Sequence, residues 1–395
     1  MLFCFMFFFP HPFLFVCLFF VSRQRTGQSK GKKGTGGRMG PQTRFSFEPL
    51  THRRLEIVLT DPAYKEAQRR WGLHSQTRVC ALRFERENNG RIAQEGASHG
   101  GGVGNGAVVA GAIRFSGFHK GVLQEFLVSL FDSTAVRDAL ALSPALRLTR
   151  DAVEYTELHC SWTTLEPFTR LVKAGVVRHV EVQGDVCHDE AEAAIFDGCV
   201  RLPVVRRPDF YLPNDIAVTD ELRALFLLAH NRAICHEGDE YAEEEAWDAI
   251  NYGSGAGLSL AALRRIFTEA ERSEFLYHIL WRLVAGGGSN NQWDDDLGVY
   301  LDVARAWYKG LVAIRAVQKN EATSAGGGMD EPDHAAYADG TVLAPEVVST
   351  VVSVQAVSGF SLFTRTDDAE PSNLNYCYVC IDPVEAEVVV WYHCL

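Results

Sequence analysis

Residues 268–288 read TEAERSEFLYHILWRLVAGGG, and this stretch decides the fold class. Thr268 and Glu271 have the spacing of a capping box, in which a hydroxyl and a carboxylate three positions on satisfy each other's backbone N–H groups. Phe275, Leu276, Ile279, Leu280 and Leu283 then recur at helical intervals and make one apolar stripe. Gly286 to Gly288 ends the run, since the residue just past a helix is commonly a left-handed glycine. The pattern predicts one helix from Thr268 to the glycines. A second is predicted downstream, where Leu297, Tyr300, Leu301, Ala304, Trp307, Tyr308, Leu311 and Val312 keep the same period. Two amphipathic helices joined by a short Gly/Asn loop imply an antiparallel pair.

Outward from this pair the period changes. Val348, Thr350, Val352, Val354 and Ala356 lie on one side of an expected strand, and Tyr376–Ile381 and Val388–Tyr392 are strand-like runs flanking Asp382 to Glu387. Toward the front, Leu55–Leu59 and Val79–Phe84 have strand-like apolar content, with a short helix expected over Tyr64–Trp71. Val122, Phe126, Leu127 and Leu130 set another helix, expected to pack on the sheet. Strands early, helices in the middle and strands at the end predict an α+β fold. Its antiparallel-rich sheet carries packed helices, including a C-terminal helix pair followed by terminal strands. No internal repeat is evident.

Composition bounds the function classes. With 395 residues, 47% hydrophobic and 22% charged, the chain can bury one large core or two ordinary ones. A net charge of −12 argues against a general nucleic-acid binder, which neutralises phosphates with clustered Lys and Arg, and is compatible with a basic protein surface as partner. Ten cysteines are too sparse for a disulfide scaffold and read as mostly buried thiols. The expected organisation is an apolar segment at 1–21, a disordered basic linker at 22–43, and a single α+β body at 44–395 with insertions near 85–112, 231–257 and 319–344.

Met1–Val21 is almost wholly apolar and rich in Phe, followed by nine Lys/Arg from Arg23 to Arg54 against one acid, Glu48. Three readings stay open. About 20 apolar residues can span a bilayer, so the segment suits a signal anchor with a cytoplasmic C-terminal side. A cleaved signal fits less well, because no basic region precedes the run, Pro10 and Pro12 interrupt it, and no small-residue cleavage site follows. Alternatively the start is mis-assigned and Met39 is the natural one.

Several local patterns invite chemistry. Gly100–Gly106 lacks the preceding strand and the Lys-Ser/Thr pair that a phosphate-cradling loop needs, and reads as a flexible insertion. His159-Cys160, Cys187-His188, Cys235-His236, Cys377-x-x-Cys380 and His393-Cys394 carry zinc-type ligands. Cys377 and Cys380, however, sit in a strand-like run, where residues three apart point to opposite faces. Glu237–Asp248, with seven acids, reads as a solvated face. No Gly-x-Ser-x-Gly elbow, His-Glu-x-x-His pair or Walker-type Lys occurs. No catalytic, cofactor or metal-ligating residue is therefore nominated, and no cofactor is expected.

One ordered set of segments goes further. Thr219-Asp220-Glu221-Leu222-Arg223 is followed by Arg272-Ser273-Glu274-Phe275-Leu276, by Gly286-Gly287 leading to Tyr300-Leu301, and by Trp307-Tyr308-Lys309-Gly310-Leu311-Val312. The set ends with Ile381-Asp382-Pro383 and Trp391-Tyr392-His393-Cys394. Fainter matches lie at Arg44-Phe45-Ser46-Phe47, Arg70-Trp71, and Phe118-His119-Lys120 with Phe126 to Phe131. In this order the segments resemble the cilia- and flagella-associated protein 300 family. The resemblance implies a non-catalytic protein of cytoplasm and ciliary or flagellar axoneme, needed for assembly or transport of dynein arms. Dynein-arm assembly factors or axonemal transport machinery would be its partners, with no nucleic acid, and a membrane only if residues 1–21 are an anchor. The alternative is a membrane-tethered or zinc-binding protein of unknown activity.

Overall fold

The computed structural model describes residues 44–87, 120–142, 153–178, 202–212, 216–230, 247, 257–288, 291–319, 342–357, 360–363, 372 and 374–395. All lie in one compact unit, Gln42–Leu395. The strands are β1 Arg44–Pro49, β2 Thr77–Glu87, β3 Val153–Leu158, β4 Arg206–Tyr211, β5 Ala217–Asp220, β6 Ile314–Lys319, β7 Val342–Val347, β8 Thr350–Val357, β9 Phe360–Ser361, β10 Tyr376–Asp382 and β11 Glu387–His393. The helices are α1 Arg53–Thr60, α2 Pro62–Arg70, α3 Lys120–Asp132, α4 Thr134–Leu140, α5 Thr169–Lys173, α6 Glu221–Arg223, α7 Leu260–Arg264, α8 Glu269–Arg272, α9 Phe275–Ala285 and α10 Leu297–Leu311. A π-helical run, Ala224–Ala229, continues α6.

One antiparallel sheet in the order β1-β2-β11-β10-β8-β3, with β9 also paired to β8, forms the middle layer. Its central strands β10 and β11 are buried on both faces, which is why they are near-continuous apolar runs. Tyr376, Tyr378, Cys380, Val389, Trp391 and Val351 face a core shared with α9 and α10. Cys377, Val379, Ile381, Val388, Val390, Tyr392, Val352 and Val354 face a second core built on Phe126, Leu127, Leu130 and Phe131 of α3 and on Val136 and Leu140 of α4. The α+β class, the antiparallel sheet, the terminal hairpin β10–β11 and the helices over α2, α3 and α10 all stand as expected from the sequence.

Two expectations are corrected. Leu55–Leu59 is not a strand but the middle of α1. Its pairing spots on the sheet are absent because only Leu55 and Val58 turn inward, three residues apart, while Ile57 and Leu59 are exposed. Asp61 closes α1 and caps α2, its Oδ1 accepting from the N–H groups of Ala63 and Tyr64 at 2.9 and 3.2 Å, with Pro62 fitting the first helical position. The helix expected from Thr268 onward is broken in two. The capping box of Thr268 and Glu271 is present, but α8 stops at Arg272, and Glu274 turns extended (φ −71°, ψ 133°) before α9 begins. The reason for that break is the job Glu274 does, described below. The strands also reach into the segments read as insertions: β2 runs to Glu87 and β7 starts at Val342.

Helix α4 closes on Ala141, which adopts left-handed φ 49°, ψ 45° and is exposed. A side chain makes that conformation costly by roughly 1–2 kcal/mol. Ala141→Gly is expected to raise stability by about 0.5–1 kcal/mol, net of the greater freedom glycine has when unfolded. A urea midpoint that falls instead would contradict the assignment of this cap.

Candidate functional site: a buried polar junction of the motif segments

The Thr219–Arg223 segment ends β5 and starts α6. Asp220 is its capping residue, with Oδ1 accepting the Arg223 N–H at 2.8 Å. Three residues apart across one turn, the two side chains also meet as an ion pair, both with no exposed side-chain surface. Arg223 reaches on, donating from Nη2 to Tyr300 Oη at 2.9 Å and lying 3.9 Å above the Trp293 ring. The same Tyr300 oxygen accepts the Asp294 backbone N–H at 3.0 Å. Burial holds the Tyr300 phenol above its ordinary pKa, so it remains a neutral link between the cation and the loop.

Asp294 carries the junction to α2. Its Oδ1 takes Arg70 Nη1 at 2.7 Å and its Oδ2 takes Trp71 Nε1 at 2.8 Å, while Trp71 stacks on Tyr300 with ring centroids 4.5 Å apart. From the other side Arg206 of β4 donates to Thr219 Oγ1 at 3.0 Å and, through Nε, to Asp295 Oδ1 at 2.7 Å. Arg70–Asp294 and Arg206–Asp295 thus join distant elements through charge-assisted bonds that are partly open to solvent, while the Asp220–Arg223 pair between them is dry. Removing Arg223 strips the buried Asp220 of its nearest cation and leaves it Thr219 Oγ1 at 3.0 Å and Arg206 Nη1 at 3.5 Å; breaking a buried pair typically costs 3–5 kcal/mol. Arg223→Ala is expected to lose about that much, read as a lowered denaturant midpoint at unchanged slope. A loss under about 1 kcal/mol would mean that water enters and the pair is not dry.

The Arg272–Leu276 segment serves a second joint. Glu274 is buried, and its Oε2 accepts the N–H groups of Ser161 and Trp162 at 2.9 and 3.3 Å while its Oε1 accepts the Ser161 hydroxyl. The Phe275 N–H donates to His159 O at 2.7 Å, and the His159 N–H to Ser273 O at 2.9 Å. Regular helical backbone through Ser273 and Glu274 would forgo this exchange, so the chain breaks there.

Gly286-Gly287 makes the third. Gly287 N donates to Trp71 O at 2.9 Å, and a Cβ at Gly287 would lie 2.5 Å from Gly72 O and 2.8 Å from His393 Cε1. His393 is stacked on Tyr376 at 5.2 Å and bonds Thr77 Oγ1 through Nδ1 at 3.1 Å. Gly287→Ala meets backbone on one side and a packed ring on the other. It is expected to lower the thermal midpoint by at least several degrees, a shift of a few kcal/mol. An unchanged midpoint would show that the Gly72 turn can slide away. Gly310 plays a similar part more gently, its face lying against Leu55 and the Arg54 carbonyl of α1. Trp307 and Trp391 stack at 4.7 Å between α10 and β11.

The residues read as metal-type ligands are separated. Cys377 and Cys380 lie on opposite faces of β10, one in each core, and burial drives both thiols upward from their usual pKa. His393 and Cys394 are split the same way, Cys394 Sγ lying 3.4 Å from Phe363 O in the second core. The Cys160 thiol is pushed up to about 12, chiefly by burial. Cys187-His188 and Cys235-His236 lie outside the described residues, as do Gly100–Gly106 and Glu237–Asp248 apart from Trp247. Among the described residues no group of three or more His, Cys, Asp or Glu side chains is placed to hold a metal ion, and no helix is long and apolar enough to cross a membrane. Met1–Val21 lies outside them.

Sequence reasoning did not find Arg206, Asp294 and Asp295 as members of the junction. The signal available was the acidic run Asp294-Asp295-Asp296 directly after Trp293, between two helices, where unpaired acids beside an aromatic invite arginine.

Residues 262–393 match the family model for cilia- and flagella-associated protein 300. The Chlamydomonas reinhardtii protein named cilia- and flagella-associated protein 300 is 30% identical over 129 residues, which are 32% of this chain and 40% of that protein. The chain thus aligns with about two fifths of the length of that curated relative. No solved structure matches. The Thr219–Arg223 and Arg70-Trp71 segments precede the matched range, yet the junction binds them to Asp294 and Tyr300 inside it. Over residues 262–393 the chain is similar to the cilia- and flagella-associated protein 300 family, the one its motif order resembles.

Proposed function

We propose that this chain is a non-catalytic ciliary and flagellar protein needed for the assembly or transport of axonemal dynein arms, acting through protein–protein contacts. The observation that carries the reading is the match of residues 262–393 to a family named for cilia and flagella. Two features support the contact-based mode. Polar side chains of the motif segments hold elements together, as Asp220, Arg223, Glu274 and His393 illustrate. The net charge of −12 suits encounter with basic protein surfaces. Its partners would be dynein-arm assembly factors or axonemal transport machinery, met in the cytoplasm and at the axoneme.

Cells lacking the protein are expected to build axonemes of normal length with missing or reduced dynein arms and weak beating, seen by electron microscopy and motility tracking. Cys377→Ala and Cys380→Ala proteins should restore arms wherever they fold. Normal arms together with normal motility in the deficient cell would end this reading. Stoichiometric zinc in protein purified from Met39 onward would promote the metal-binding alternative.

A further inference from the structure

We draw no further inference here: the strongest candidate, the exposed apolar side chains of Ile57 on α1, Val384 at the β10–β11 turn and Ile314 at the root of the β6–β7 ribbon, carries nothing because nothing in the structure shows what covers them.

Discussion

A chain ending at Glu387 is expected not to fold cooperatively at all. Strand β11 lies inside the sheet, paired over Glu387–His393 with β10 on one side and β2 on the other, so its loss breaks two ladders and separates the β1–β2 pair from the rest of the sheet. Its side chains divide between both cores: Val389 and Trp391 into one, Val388, Val390, Tyr392 and Cys394 into the other. Burial of one large apolar side chain is worth roughly 1.5–3 kcal/mol, so these six together account for about 10 kcal/mol. A whole domain is stable by only about 5–15 kcal/mol. Trp307 would lose its stacking partner, and the Gly287 turn would lose the His393 ring it rests on. Urea unfolding followed by near-ultraviolet circular dichroism reads the outcome. A truncated protein that unfolds sharply at the full-length midpoint would refute the central place given to this strand.

The same strand shows how much was legible in the sequence. Runs such as Tyr376–Ile381 and Val388–Tyr392 are apolar at every position because the strand is covered on both faces, and no local ambiguity remains once a turn such as Asp382–Ala386 separates two of them. There Asp382 Oδ1 accepts the N–H groups of Val384 and Glu385, a turn chemistry that can be anticipated from Asp-Pro. Leu55–Leu59 failed for the opposite reason. Five residues with two β-branched members satisfy a strand template as well as a helical one, and the arbiter was distant: Gly310 on α10 leaves the space into which Leu55 fits. The break at Ser273-Glu274 was likewise set by Ser161 and Trp162, 112 or more residues away. The junction was half legible. The i, i+3 spacing of Asp220 and Arg223 at a helix start is a local signal, whereas their meeting with Tyr300 and the link through Asp294 to Arg70 are products of tertiary packing that no window of sequence contains.

Acid should unfold this protein early, between pH 6.5 and about 4.5, because three of the described histidines, His230, His278 and His393, are held neutral in its interior. His393 is fully buried, with Nδ1 on Thr77 and Nε2 without a partner among the described residues, and burial, aided by Arg282, lowers its pKa to about 3. His278 shares Tyr378 Oη with Arg282: the guanidinium Nε donates to that oxygen at 2.9 Å, so the phenol hydrogen is free to go to His278 Nδ1 at 3.1 Å, which requires an unprotonated nitrogen. Burial and the same arginine bring His278 to about 3. His230, bonded to Tyr277, is lowered to about 3 first by burial and then by Arg272. A folded pKa below the unfolded value of 6.5 means the unfolded chain binds more protons below pH 6.5, so stability is whole above that pH and falls as pH drops toward 3. Each such histidine removes up to about 1.4 kcal/mol per pH unit in that window. His230 and His278 keep some surface open and contribute less than His393. Even so, the loss by pH 4.5 is expected to reach about 4–8 kcal/mol, most of an ordinary domain's stability. Denaturant midpoints at pH 7.5, 6.5, 5.5 and 4.5 measure it, and His393→Asn should flatten the slope even though it lowers stability at pH 7.5. A midpoint that stays level from pH 7.5 to 5 would show that these rings are reached by water, and with it that the core around Tyr376, Tyr378 and Trp391 is looser than its packing implies.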